Sequence, residues 1–443
     1  MRKSLLFVLA IPLWAQDPLS LRDAARLALK ENKTVAATNA EMRASLSRID
    51  EARAGKLPKL NYSESFARSD NPVFVFSSLL TQHQFGVENF NVGPLNRPDS
   101  LNNFQSQLTV DQILYDAGQT RNAVKSADLS RQMTGEEQRR TQMQVIAGVV
   151  KAYYGAVLAA ESLRTAEQAV QSAQADLARA ESVHAAGMST DVDVLSIRVH
   201  LAAVTEQRIQ RAADLEVARS ALNDALGLPL DTAHVLTTPL RALDLPDLTL
   251  ASLEKDASAT RPEALETHLA ADLAKTQADS ARSPLFPQVA FHAAFEADRQ
   301  QFIDKGGANW LASVGLRWNL FNGLGDKARI EESSHWLERA HADEQRMDSA
   351  VRLEVRRAWA DLRAAQQRIE VAKAAVAEAE ESLRITQNRY ESGMSNVTDL
   401  LRNETAVLES RTRFLAAVHD QRIAAAMLDL AAGRLSPDSE VLN

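Results

Sequence analysis

The sequence predicts a mainly α protein with a small β part, built as a duplicated repeat of long coiled-coil helices. Three observations carry this. Shifting the chain by 206 residues aligns 177–227 with 383–433 without a gap, so the second half copies the first. Each copy holds an unusually long heptad stripe. Each stripe is preceded by two short segments that alternate apolar and polar residues, the period of a half-buried strand.

Composition narrows the function classes. Of 443 residues, 45% are hydrophobic and 24% charged, as in folded proteins. There is no cysteine, which removes disulfides, thiolate metal sites and thiol nucleophiles. A net charge of −8 offers no basic face for nucleic acid, so no nucleic-acid partner is expected. Only 16 Gly and 13 Pro punctuate the chain, consistent with long uninterrupted elements.

In chain order, Arg2 and Lys3 precede an apolar run over 4–14, and Ala15 stands before Gln16, which reads as an export signal over 1–15. The apolar run is too short to span a bilayer. No later stretch reaches 18 uncharged apolar residues; the nearest, 145–160, contains Lys151. A mature protein in a membrane would therefore cross it as a closed β-barrel.

The first repeat is placed at 16–227 and the second at 251–443, with a Pro-containing segment at 228–250 between them. The early parts of the copies align at an offset of 229, where Leu19, Leu21, Arg53 and Pro58 match Leu248, Leu250, Arg282 and Pro287. The first copy thus carries 23 extra residues between Pro58 and Phe104, rich in Asn, Pro, Gly and Phe and read as a long loop.

Strand pairs are expected at about 58–68 and 104–115, and at about 287–298 and 310–321. Phe104, Leu108 and Val110 fall on one face of the second segment, and Val289, Phe291 and Phe295 on one face of the third. Trp310, Val314, Leu316 and Trp318 do so in the fourth. Leu60, Tyr62 and Phe66 share a face of the first, which Glu64 interrupts. One apolar face, one wet face and aromatic ends suit a lipid-facing barrel wall. Four strands close no useful barrel, so several chains must contribute, and three would give twelve.

Long helices are expected at 117–185 and 323–391, each roughly 100 Å at 1.5 Å per residue. Val355, Leu362, Ile369, Val376 and Leu383 repeat every seven residues, with Ala358, Ala365, Ala372 and Ala379 three positions on. Val149, Ala156, Leu163, Val170 and Leu177 repeat the phase in the first copy. Alanine seams allow close approach, and a strict seven-residue period favours left-handed supercoiling. Glycine tips follow at 186–190 and 392–396, then helices at 191–227 and 397–433. Such helices alone also fit a coiled-coil rod, and a periplasmic coiled-coil adaptor or scaffold is the alternative reading.

Several motifs stand in order and in duplicate. Leu19-Ser20-Leu21 leads into Ala24-Ala25 and Ala28-Leu29, and Leu57-Pro58-Lys59-Leu60 enters the first strand. Leu114-Tyr115-Asp116-Ala117-Gly118 and Leu320-Phe321-Asn322-Gly323 leave the second and fourth. Arg389-Tyr390-Glu391-Ser392-Gly393, followed by Asp399-Leu400-Leu401, marks a hairpin tip. Together they resemble the TolC family of outer-membrane efflux and secretion channels. The resemblance implies a homotrimer in outer-membrane lipid, with a twelve-stranded barrel continuous with an α-helical periplasmic tube. It assigns 228–250 to an equatorial belt and turns the long loop, 71–103, outward. It further implies a periplasmic membrane-fusion adaptor and an inner-membrane pump (RND, ABC or similar) as partners, with passive conduction through the duct.

On that resemblance, Asp193 and Asp399 are candidates for a periplasmic gate, although acidic residues near helix starts are also favoured by the helix dipole. Gly187, Met188, Leu195, Arg389, Gly393, Met394 and Leu401 are candidates for adaptor docking, or for packing the hairpin turn. Val183 stands where the first copy would hold the counterpart of Arg389. No catalytic, cofactor or metal motif is found: the nine histidines form no His-Glu-x-x-His, and the phosphate-loop and nucleophile-elbow patterns are absent, so no enzyme is expected.

Overall fold

A computed structural model describes residues 18–187, 189–244, 249–304 and 306–443. The expected export signal, Met188, and Pro246 of the 228–250 segment lie outside the described residues. In chain order the elements are β1 (Pro18–Leu19), α1 (Leu21–Glu31), α2 (Lys33–Ala54), β2 (Lys59–Ser69), α3 (Pro72–Thr81), α4 (Val92–Asn96) and β3 (Leu101–Tyr115). There follow α5 (Gln119–Ala185), α6 (Asp191–Leu226), β4 (Val235–Leu236), α7 (Leu250–Thr260) and α8 (Pro262–Ala281). The chain ends with β5 (Gln288–Arg299), β6 (Gly307–Arg317), α9 (Gly325–Glu391) and α10 (Val397–Ala431). Both long helices have 67 residues.

These elements form two compact units. One comprises residues to 41, 135–266 and 345–443; the other comprises 42–134 and 267–344.

In the first unit the seam residues make the core. Val149, Ala156, Ala166, Ala173, Val355, Leu362, Ala365 and Ile369 are buried. One cluster joins Leu21, Ala24, Ala25 and Ala28 of α1 to Ile146, Val150, Tyr153 and Tyr154 of α5 and Leu226 of α6. A window of α5 is apolar enough, by length and composition, to cross a membrane. The apolar side chains around Ile146–Ala156 instead fill this core. Tyr153 lends its hydroxyl to two chain segments: it donates to Leu19 O at 2.8 Å and accepts from Thr238 N at 2.9 Å. Strands β1 and β4 pair in parallel beside it.

The duplication is visible at one recurring contact. Gly227 ends α6 with φ +79°, and a Cβ there would lie 2.8 Å from Asn32 Cα, where α1 ends. Gly433 follows α10 with φ +70°, and its Cβ would lie 2.9 Å from Arg261 Cα, where α7 ends. Each repeat therefore crosses two helix ends at a distance that only glycine allows.

In the second unit the sheet order is β2-β3-β5-β6, antiparallel throughout. Register places Tyr62, Leu108, Phe295 and Trp310 in one row, and Leu60, Val110, Ala293 and Ala312 in another. These rows share one face with Phe66, Phe104, Val289, Phe291, Val314 and Leu316, because paired residues project to the same side. The face is bare: Trp310 is 79% exposed and Tyr62 67%. The opposite face carries Gln105, Gln107, Thr109, Asp111, His292, Glu296 and Ser313, with His292 Nδ1 2.7 Å from Asp111 Oδ1. Glu64, the exception on the apolar face, is neutralised there. It accepts from Arg299 Nη2 at 2.9 Å, from the Tyr62 hydroxyl at 2.8 Å and from Ser106 Oγ.

Two sequence expectations are corrected. Strand β6 begins at Gly307 and ends at Arg317, so Trp318 lies beyond it; its indole N–H donates to Leu285 O at 3.0 Å, leaving the ladder for a local backbone acceptor. The long loop is not featureless. It folds into α3, a 3₁₀ turn at Val87–Phe90 and α4, because Asn71 caps α3 and Pro72 starts it. Gln82 at its end donates to Asn102 O at 3.0 Å and Asn103 Oδ1 at 2.9 Å, and Asn103 donates to Asp298 at 2.6 Å. Asn309 adds a bond to Thr81 O. Asn103, Asp298 and Asn309 all belong to the polar face, so the insert is pinned on that side.

Gly227→Ala should cost more than about 1 kcal/mol, since it adds both left-handed strain and a backbone clash. The expected readout is a lower thermal unfolding midpoint for the detergent-purified variant, with Gly433→Ala behaving alike.

Candidate functional site

The hairpin tips belong to the first unit, and each is built by the same local physics. A glycine in the left-handed region ends the long helix: Gly187 has φ +75° and Gly393 φ +72°. A polar residue then caps the next helix. Thr190 accepts from Asp193 N at 3.3 Å, and Asp193 Oδ2 accepts from Thr190 N at 3.1 Å and Thr190 Oγ1 at 2.9 Å. This reciprocal box satisfies two helix-terminal N–H groups. Ser189 Oγ adds a third bond to the same oxygen. The Thr190 backbone N–H, with the Thr190 and Ser189 hydroxyls, holds the Asp193 carboxyl below the usual aspartate range. In the second tip, Asn396 caps α10 by accepting from Asp399 N at 2.8 Å, while Asp399 Oδ2 accepts a longer bond from Ser395, 3.3 Å. Both aspartates are half-buried at helix starts, and both carboxylates serve their own turn.

The remaining tip residues divide by environment. Leu195 and Met394 are exposed, 57% and 64%. Leu401 packs instead against a small cluster of Ala180, Val194, Ile197 and Val397, with Leu177 and Tyr390. Arg389 is exposed and donates to Met394 O at 3.4 Å, closing its own turn. Arg179 and Glu391 form an ion pair between the hairpins, 2.7 Å.

Sequence reasoning missed a polar cluster deeper between the hairpins. Asp176 on α5 is 4% exposed, and the side chains of His200 on α6 and Glu404 on α10 are 15% and 9% exposed. His200 Nε2 lies 3.2 Å from Glu404 Oε2, and Ser172 Oγ 3.4 Å from Glu404 Oε1. Burial pushes Asp176 up to about 7, reinforced by a hydrogen bond to Glu404. Burial would raise Glu404 too, but hydrogen bonds from His200 and Asp176 outweigh it and hold that carboxyl low. The signal was present in the spacing. Ala173, Asp176 and Ala180 fall at i, i+3 and i+7; Ile197, His200 and Val204 do the same; and Leu400, Glu404 and Val407 fall at i, i+4 and i+7. Each charged or titratable residue occupies a slot of the apolar face.

Comparison with known proteins decides the class. The profile of the family described as Outer membrane efflux protein matches residues 24–228 and 253–434, one block in each repeat. The chain belongs to this family. As a member of the outer membrane efflux protein family it resides in the outer membrane and extends into the periplasm, and its role is transport. It is 29% identical over 343 residues to Protein CyaE of Bordetella pertussis, covering 76% of this chain and 72% of that one. It is 24% identical over 429 residues to the alkaline protease secretion protein AprF of Pseudomonas aeruginosa, covering 94% and 85%. The fold matches the Campylobacter jejuni CmeC outer membrane channel with a TM-score of 0.78 at 15% identity, over 95% of this chain and 87% of that one. The relatives are secretion and efflux proteins rather than enzymes.

Thr190→Ala should release the first turn of α6 by about 1 kcal/mol. Hydrogen exchange of the amides at 192–194 is expected to speed up about fivefold, while amides in the middle of α5 stay unchanged.

Proposed function

We propose that the protein is the exit duct of a tripartite efflux or type I secretion system. Three chains supply twelve strands to one barrel, and their helices form a tube through the periplasm. A membrane-fusion adaptor joins the duct to an inner-membrane pump, and conduction through it is passive. The observation that carries this reading is the sheet. It has one bare apolar face, one polar face, and two edges, β2 and β6, with no partner among the described residues. In a bilayer such edges must be paired, and copies of the same chain can pair them. The names of the relatives include both efflux and protease secretion, which supports the pair of system types.

On this reading Phe104, Leu108, Val110, Val289, Phe291, Phe295, Trp310, Val314 and Leu316 face lipid, and Trp318 sits at the border of the barrel. Exposed Leu195 and Met394 are the tip residues most accessible to an adaptor. Asp193 and Asp399, one from each tip, ring the periplasmic mouth of the trimer as well as capping their helices.

Negative-stain electron microscopy of the detergent-purified protein is expected to show hollow, threefold particles well over ~100 Å long, a length set by the 67-residue helices. Thin solid rods, or small particles stable without detergent, would reject the duct in favour of a scaffold. In planar bilayers the Asp193→Ala/Asp399→Ala double variant is expected to conduct more and to select less for cations. Unchanged conductance and selectivity would remove the two aspartates from the gate.

A further inference from the structure

The cluster of Asp176, His200 and Glu404 is not used by the duct as described above. It borders a cavity of 430 Å³ among α5, α6, α9 and α10, into which Ser172, His200, Glu404, Glu380, Arg384 and Arg411 open. Three of these are already paired: Arg411 bonds Glu380 at 2.7 Å, and Arg384 bonds Glu381 at 2.7 Å. That leaves the two buried carboxyls with few fixed donors. Among the described residues no donor reaches the fully buried Asp176 Oδ2, and Arg179 stands 3.9 Å from Oδ1 while bonding Glu391 more closely. The charged and titratable groups facing Asp176 are therefore Arg179 on its own helix, His200 on α6, Tyr390 on α9 and Glu404 on α10. Two buried carboxylates side by side repel, and a proton held between them turns repulsion into a hydrogen bond.

We propose that Asp176 and Glu404 share one proton and act as a pH-sensitive latch between the two hairpins of each chain, holding the tip closed in acid and freeing it as pH rises. The geometry fits this use. Asp176 belongs to the first repeat and Glu404 to the second; each lies 11 residues from its tip glycine, Asp176 about 14 Å from the end of α5 and Glu404 about 10 Å from the start of α10. A tip that widens moves one hairpin past the other, so it must break this contact and expose both carboxyls to water.

Linkage gives the direction. The closed form keeps its proton up to about pH 7, because burial and Glu404 hold the Asp176 carboxyl there. The open form loses the proton at an ordinary aspartate value. Raising the pH through the interval between those two values favours opening, by up to about tenfold per pH unit for each copy, and above pH 7 the effect is complete. The offset repeat does not duplicate the latch: Asp176 aligns with Ser382 and Glu404 with Arg198, so each chain carries one.

The proposal rests on the duct reading and is tested apart from it by two measurements on the full-length protein in detergent or lipid. In planar bilayers, the open fraction of the wild type at pH 8 is expected to exceed that at pH 5 by at least about tenfold. Asp176→Asn, whose amide still donates to Glu404, is expected to stay closed at both values. Hydrogen exchange of segments 170–180 and 400–408, corrected for the intrinsic effect of pH, reads the latch without conduction. Wild-type protection should fall between pH 5 and pH 8, and Asp176→Asn and Glu404→Gln should abolish that change. A wild type whose protection is independent of pH, or an Asp176→Asn protein that keeps the full dependence, would overturn the latch. Protein that forms no pores, yet shows the expected exchange pattern, would reject the duct and keep the latch.

Discussion

A peptide group inside a bilayer has no water to bond, so every strand in it needs a neighbour on both sides. Among the described residues the sheet β2-β3-β5-β6 pairs both sides of its two inner strands and only one side of its two outer ones. Much of the rest of the chain follows from this constraint. The described residues of the second unit leave the apolar row Tyr62, Leu108, Phe295 and Trp310 bare, as the proposed lipid-facing wall requires. On that proposal the opposite face can stay polar because it need not meet lipid. Even the exception obeys the rule: Glu64 stands on the apolar side only because Arg299, Tyr62 and Ser106 spend their hydrogen bonds on it.

The helical part solves a different problem with one repeated device. Long helices need a stripe that packs without bulk, and alanine at every second seam position provides it. Ala166 and Ala173 on α5 and Ala365 on α9 are buried for this reason. Where two helix ends must cross, glycine replaces alanine, at Gly227 and Gly433. The two tips show that duplication preserves a design more faithfully than its chemistry. Thr190 with Asp193 makes a reciprocal box, whereas Asn396 with Asp399 makes a simpler cap.

Periodicity made the helices and most strand boundaries legible, because heptads and alternation are properties of many residues at once. The faces of the sheet were legible for the same reason. The end of β6 was not: Trp318 continues the alternation perfectly, but the ladder stops at Arg317, opposite Gln288, and the Trp318 indole bonds Leu285 O. Nor was the structure of the insert, whose placement depends on Gln82, Asn103 and Asp298, residues far apart in sequence that hydrogen-bond in a buried row. Asp176, His200 and Glu404 escaped attention because motif reasoning looks for clusters along the chain. Their common feature is a polar residue in an apolar slot, a pattern that becomes a site only when three helices meet.

The equality of the two long helices, 67 residues each, has a consequence for how such a chain can change over generations. A heptad lost from α5 alone would put the paired hairpins out of step and shift one seam against the other. A matching loss from α9 would restore both. Insertions and deletions in these helices are thus inherited in pairs or not at all, whereas the insert between β2 and β3 has no counterpart in the second repeat and is free to drift in length. Relatives should differ in their strand-linking segments far more readily than in the span of their helices.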